Sequence, residues 1–177
     1  MRRLLAIAPM LAFALVLLGF MAGLKRDPAI LPSMLIGKSL PAFALPPLRA
    51  DSAGLASADL AGDPVLLNVF ASWCGPCKAE HPVLMRLQSQ GVKIVGLDWK
   101  EEAAAGARWL DENGDPYRRA GNDQSGRTGI DLGVSGAPET FVVDKQGRVR
   151  YRHTGAISIE DWEKKIRPLM ERLKAES

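Results

Sequence analysis

The sequence predicts an α/β domain built on one mixed central sheet flanked by helices, preceded by a transmembrane helix. Three observations carry this. Strand-like and helix-like stretches alternate in the order strand, helix, strand, helix, hairpin, helix, which gives parallel neighbours first and an antiparallel pair later. Val65 to Phe70 is an apolar run broken only by Asn68, as in a strand buried on both faces. Leu4 to Leu24 holds 21 residues without a charge, which at about 1.5 Å per residue reaches across the ~30 Å hydrocarbon core of a bilayer.

Arg2 and Arg3 ahead of that stretch favour a cytoplasmic start and an exported body, although Lys25 and Arg26 on the far side blunt the asymmetry. A cleaved signal peptide is the alternative. The length of the stretch, and the lack of a convincing small-x-small pair closing it before Lys25, favour an uncleaved signal-anchor over residues 1–24. A proline-containing tether follows over 25–40, with Pro28 and Pro32, and the folded body occupies 41–177. Pro41, Pro46 and Pro47 frame a short edge strand around Phe43 to Leu45.

After the Val65 strand, a helix runs from about Gly75 to Gln90 with Pro82 inside it. Val92 to Leu97 reads as the next buried strand and Glu101 to Glu112 as the next helix, stopped by Asn113-Gly114-Asp115-Pro116. Glu139 to Val143 and Arg148 to His153, joined across Asp144-Lys145-Gln146-Gly147, form a β-hairpin. An amphipathic helix from Ser158 to about Lys174 closes the chain, with Ile159, Trp162, Ile166 and Leu169 or Met170 at helical spacing. The 23 basic and 20 acidic residues give a net charge of +3, which falls to +1 (21 against 20) once Arg2 and Arg3 are set aside. With no basic stripe, a nucleic-acid partner is excluded.

Both cysteines of the chain lie in one run, Trp73-Cys74-Gly75-Pro76-Cys77-Lys78. A structural disulfide closing so short a loop would constrain the unfolded chain very little. A closed zinc site usually needs four protein ligands, and His81 and His153 are the only histidines available beside the pair. The remaining reading is a redox-active dithiol that needs no other cofactor. On a strand-to-helix turn, Cys74 faces the unpaired N–H groups and positive end of the helix, which favour its thiolate and make it the nucleophile. Cys77, one turn inside, is placed to resolve a mixed disulfide at Cys74.

Asn68 to Lys78 with Pro82, the β-hairpin, and Gly136-Ala137-Pro138 ahead of a strand together resemble the thioredoxin fold. Gly129 to Phe141, Ala79-Glu80-His81-Pro82 and Tyr151-Arg152-His153 resemble, more narrowly, the membrane-anchored thiol:disulfide interchange proteins of cytochrome c maturation, the CcmG or DsbE group. That resemblance implies a single-pass protein of the bacterial inner membrane whose C-terminal domain works in the periplasm as a protein-disulfide reductase. Its clients would be the haem-attachment cysteines of apocytochrome c, or those of the thiol protein that handles them. Its electrons would come from a membrane thiol reductase of the DsbD or CcdA kind. The other readings are a general periplasmic thiol oxidant and a copper-delivery or assembly-binding module using the same cysteines.

The resemblance also implies a cis peptide bond at Ala137-Pro138 beside the cysteines, with the Ala137 backbone free to pair with an extended client segment. Trp73 is either a partner-facing platform or a packing residue, whereas Trp99, Trp109 and Trp162 read as packing. Thioredoxins usually carry a buried aspartate where this chain has Asn68, so the acid that manages the second thiol's proton must come from elsewhere. Glu80, three residues after Cys77 on the same helix face, and Glu139, just after Pro138, are the candidates. Gly75 and Pro76 complete the motif.

Overall fold

The computed structural model describes residues 2–24 and 35–176, and the chain divides into two units, Met1–Leu31 and Pro32–Ser177. In the first, α1 (Arg2–Leu24) is one helix of 23 residues with Pro9 inside it. Its described side chains run from 9 to 21 and are exposed. Among the described residues no helix is long and apolar enough to cross a membrane. The segment predicted to span is a helix over its whole length. The stretch 25–34 of the predicted tether lies outside the described residues.

In the second unit, five strands form one sheet in the order β5-β4-β3-β6-β7. β3 (Val65–Phe70) is buried at every position because both of its faces are covered. It runs parallel to β4 (Ile94–Trp99) and antiparallel to β6 (Glu139–Val143). β4 runs parallel to β5 (Arg119–Asp123), and β6 turns back into β7 (Val149–Thr154). The turn is held by Asp144, whose Oδ1 accepts the N–H groups of Gln146 and Arg148 at 3.0 and 2.9 Å. Gly147 supplies its positive φ of 75°.

Two crossovers in the same direction put α2 (Gly75–Ser89) and α3 (Ala103–Asn113) on one face of the sheet. The closing segment joins them there. It starts with α5 (Ile159–Asp161), capped by Ser158, passes a π-helical turn over Trp162–Ile166, and ends in α6 (Arg167–Ala175). Their side chains Leu84, Leu87, Leu110, Trp162, Ile166, Met170 and Leu173 form one core with Leu66, Phe70 and Val142 of the sheet. The other face carries Leu67, Val69, Val95, Leu97 and Phe141, covered by Leu55, Leu60 and Leu132 from short elements. The helices are thus less evenly shared between the faces than alternation alone suggests.

The elements that the sequence did not reveal are short or lack apolar periodicity. The predicted edge strand is β1 (Ala44–Leu45), which pairs with β2 (Leu55–Ala56) in a small antiparallel ribbon of its own rather than joining the sheet. β5 reads Arg-Ala-Gly-Asn-Asp and becomes a strand through its pairing with β4. At Gly121 a Cβ would lie 2.7 Å from the Cβ atoms of both Leu45 and Leu55, so only glycine lets the ribbon close on β5. α4 (Arg127–Asp131) has only 5 residues. At the sheet's borders, the Asn122 N–H donates to the Pro46 carbonyl at 2.8 Å, and the Gly37 N–H donates to the Val149 carbonyl at 2.7 Å.

Candidate active site

Phe70 ends β3, and four residues later Cys74 caps α2 with an extended backbone (φ −83°, ψ 109°), accepting the Cys77 N–H on its sulfur at 3.1 Å. Gly75 opens the helix and Pro76 follows, where its missing N–H is not needed. Cys74 and Cys77 are joined as a disulfide with their Cα atoms 5.3 Å apart. Both are buried, at 3 % and 2 % exposure, whereas Trp73 is 56 % exposed. Trp73 therefore stands out from the core, its ring 6.5 Å from that of Trp99, while Trp99 and Trp162 are packing residues as expected.

The Ala137-Pro138 peptide bond is cis, and the Ala137 carbonyl oxygen lies 3.3 Å from Cys74 Sγ. Glu139, next in the chain, is fully buried at the start of β6. Its carboxylate accepts Arg152 Nε at 2.9 Å and Nη2 at 2.7 Å, and also the Ser135 N–H at 2.9 Å and hydroxyl. Of the two acids expected near the thiols, this one is committed to a bidentate ion pair that ties the loop before the cis proline to β7. Arg152 itself is only 7 % exposed at its side chain.

Glu80 occupies the buried face of α2, three residues beyond Cys77, at 1 % exposure. Its Oε1 accepts Asn68 Nδ2 at 2.9 Å and its Oε2 accepts the Ile157 N–H at 2.8 Å. Burial pushes its pKa up to about 7, against the lowering pull of the Ile157 and Asn68 hydrogen bonds. Asn68 also donates to Thr140 Oγ1 at 2.9 Å and accepts the Tyr117 hydroxyl at 2.7 Å. The asparagine does not titrate, but it binds the acid that does. Burial, followed by the charge of Glu80, raises the Tyr117 pKa well above that of free tyrosine.

A pH dependence follows. Burial favours the neutral form of Glu80, so between its ordinary value of 4.5 and about 7 the folded state holds more proton than the unfolded one. Its contribution to stability is full below the unfolded value and falls as pH rises, by about 3 kcal/mol across the window. Urea denaturation of the oxidised protein should show the gap between wild type and Glu80→Gln changing by roughly that amount from about pH 4.5 to about pH 8. Two parallel pH curves would mean that Glu80 titrates as if in water.

Neither histidine has a contact with the sulfurs. His81 Nε2 sits 3.2 Å from the Asn113 carbonyl with its ring against Trp109, and His153 Nε2 sits 3.3 Å from the Ala156 carbonyl. Lys78 is exposed. Among the described residues no group of three or more His, Cys, Asp or Glu side chains is placed to hold a metal ion.

The structure adds residues that the motif did not point to. Arg152 and Ser135 bind Glu139, and Tyr117 binds Asn68. Ser72, Asp98, Glu101 and Asn122 form a second polar cluster beside the cysteine turn. The diagonal placing of Glu139 and Arg152 across the hairpin, where Glu139 pairs with Thr154 and Arg152 with Phe141, was the one signal available in the sequence. The others depend on strand pairings between distant segments.

The family model for Redoxin matches residues 35–166. A thiol:disulfide interchange protein DsbE of Pseudomonas aeruginosa is 43 % identical over 173 residues, covering 98 % of this chain and 96 % of that one. The protein of the same description from Escherichia coli K12 is 41 % identical over 185 residues, covering 100 % and 99 %. Among solved structures, a Chlorobium tepidum chain described as a DsbE aligns with a TM-score of 0.64 at 26 % identity, over 76 % of this chain and 95 % of that one. A secreted thiol-disulfide isomerase of Corynebacterium glutamicum shares the fold, with a TM-score of 0.66 at 21 % identity over 82 % and 96 %.

Proposed function

Because the chain belongs to the Redoxin family, in the group of DsbE thiol:disulfide interchange proteins, and is a thiol:disulfide oxidoreductase with a thioredoxin-like fold, we propose that it is a periplasmic reductant for a restricted client. The client is apocytochrome c, or the thiol protein that presents it, before haem is attached. The observation that carries this is the placing of Cys74 Sγ 3.3 Å from the Ala137 carbonyl. A client strand that hydrogen-bonds to the Ala137 backbone brings its own sulfur to Cys74.

In the working direction the Cys74 thiolate attacks one sulfur of the client disulfide. That bond breaks, a Cys74–client disulfide forms, and the client's other sulfur leaves as a thiolate that takes a proton. Cys77 then gives its proton to the Glu80 carboxylate and attacks Cys74 Sγ. The client's remaining thiolate departs, and the Cys74–Cys77 disulfide seen here results. Two electrons pass to the client. A membrane thiol reductase of the DsbD or CcdA kind returns them.

The buried acid favours this direction over oxidation. Strong oxidants of this chemistry owe their power to a stabilised thiolate in the reduced form. A carboxylate on the same buried helix face withholds that stabilisation, because like charges raise a thiol's pKa. Trp73, exposed beside the turn, offers the client a flat apolar contact, and Gly75 and Pro76 are exposed at the same turn.

The anchor belongs to the same proposal. Phe13, Leu15, Val16, Leu18 and Phe20 of α1 are all exposed around the helix, and a helix that is apolar on all sides finds its partner in a lipid interior. With 23 residues it is about 35 Å long.

Deleting the protein should deplete covalently haem-bound c-type cytochromes while most other exported disulfide proteins fold normally. A small-molecule thiol added to the medium should restore them in part. Normal cytochrome levels in cells carrying only a Cys74→Ser, Cys77→Ser double variant, without added thiol, would replace the dithiol mechanism with a scaffold role.

A further inference from the structure

The cysteine turn is fixed from outside its own helix. The Ser72 N–H donates to Glu101 Oε1 at 2.6 Å, and the Ser72 hydroxyl donates to Glu101 Oε2. Glu101 sits in the short link between β4 and α3, and Lys100 before it adopts a φ of 57°, which is rare for a side chain with a Cβ. That left-handed residue turns the link back across the end of β4, where Asp98 lies fully buried.

One amide serves both acids. Asn122 Nδ2 donates to Asp98 Oδ2 at 2.7 Å and to the Glu101 carbonyl at 3.0 Å. Gly106 of α3 presses on the same carboxyl so closely that a Cβ there would lie 2.6 Å from Asp98 Oδ2. Asp98 Oδ1 is left buried with no donor to accept from. A buried carboxylate oxygen without a donor is expensive. The same oxygen carrying a proton becomes a donor, and the Glu101 carboxyl is its neighbour.

We propose that Asp98 is neutral in the folded protein and donates its proton in a hydrogen bond to Glu101, so that this acid pair positions the Ser72-Trp73-Cys74 turn for attack. Asp98 and Glu101 are positioning residues; neither touches the reacting sulfurs. The inference rests on the dithiol chemistry of Cys74 and not on which client is reduced.

The groups facing Asp98 are consistent with this. They are Glu101 from the link, the neutral Asn122 from β5, the backbone of Gly106 from α3, and the phenol of Tyr117, whose own ionisation Asp98 opposes. Burial first, and the Glu101 carboxyl second, hold Asp98 far above the usual carboxylate range, with Asn122 pulling the other way. When alkali removes the shared proton, two adjacent carboxylates repel and Glu101 lets go of Ser72.

The test uses the full chain in detergent. In the oxidised protein, carboxyl carbon NMR from about pH 4 to about pH 10 should show Asp98 losing its proton only above neutrality, and Asp98→Asn should delete that transition. In the reduced protein, the rate of Cys74 attack on a small aromatic disulfide is corrected for the thiolate fraction. Ser72→Ala and Glu101→Gln should lower it by about three- to tenfold at neutral pH. Asp98→Asn, whose amide donates to Glu101 without titrating, should stay within about twofold of wild type and abolish the alkaline fall.

An Asp98 that titrates in the ordinary carboxylate range overturns the proposal. So does a Ser72→Ala variant as fast as wild type, whether or not Glu101→Gln folds. Because no client enters either measurement, failure here leaves the cytochrome reading standing, and failure of that reading leaves this one.

Discussion

Changing Cys77 to serine should stop the exchange halfway. The client remains joined to Cys74 because the thiol that releases it is gone, and turnover falls by several orders of magnitude. The geometry sets the asymmetry. Cys74 stands at the helix N-terminus with its sulfur toward the Ala137 carbonyl, and Cys77 lies one turn inside with its N–H on that sulfur. Cys74→Ser should abolish turnover just as fully but capture nothing. Non-reducing electrophoresis of the two variants after incubation with an oxidised client peptide decides the matter. A mixed disulfide that accumulates in Cys74→Ser instead would exchange the roles of the two thiols.

Arg152→Met should be the most damaging single change away from the cysteines. It removes the partner of a fully buried carboxylate, Glu139, and breaking such a pair from one side destabilises a protein by about 3–5 kcal/mol. The loss should extend to function, because that carboxylate holds the Ser135 N–H and hydroxyl at the start of the loop that carries Ala137. Urea denaturation of the oxidised form measures the first effect, and KM for a client peptide against kcat measures the second. Glu139→Gln combined with Arg152→Met should recover part of the stability, since no charge is then left unpaired. A loss below about 1 kcal/mol in Arg152→Met would place the pair in the class of exposed ion pairs.

Much of this fold could be read from the chain, and the reason is physical. β3, β4, α2, α3 and the β6–β7 hairpin announce themselves because each is long enough for its burial pattern to repeat and each is bounded by a turn residue such as Gly114 or Gly147. β5 did not, since Arg119 to Asp123 become a strand through the neighbour they pair with and not through their own pattern. The π-helical turn at Trp162 to Ile166 is hidden for another reason: its buried residues keep a spacing that an α-helix also produces. At the site, the dithiol motif placed the two cysteines. Asn68 appeared in the sequence as a missing acid and appears in the structure as the amide that holds Glu80. Glu80 and Glu139 looked alike as acids near the motif, and only the position of Arg152 makes Glu139 half of an ion pair.

The two flanks of the five-stranded sheet have a bearing on solubility. A bare strand border invites another chain to add to it. Here residues 46 and 47 lie along β5 and residues 36–40 lie along β7, so each border is partly occupied by the protein's own leading segment. A stretch whose prolines suggest a passive spacer thus works in part as a selvage, finishing the fabric on both sides, and under the function proposed above it leaves strand addition to the backbone at Ala137.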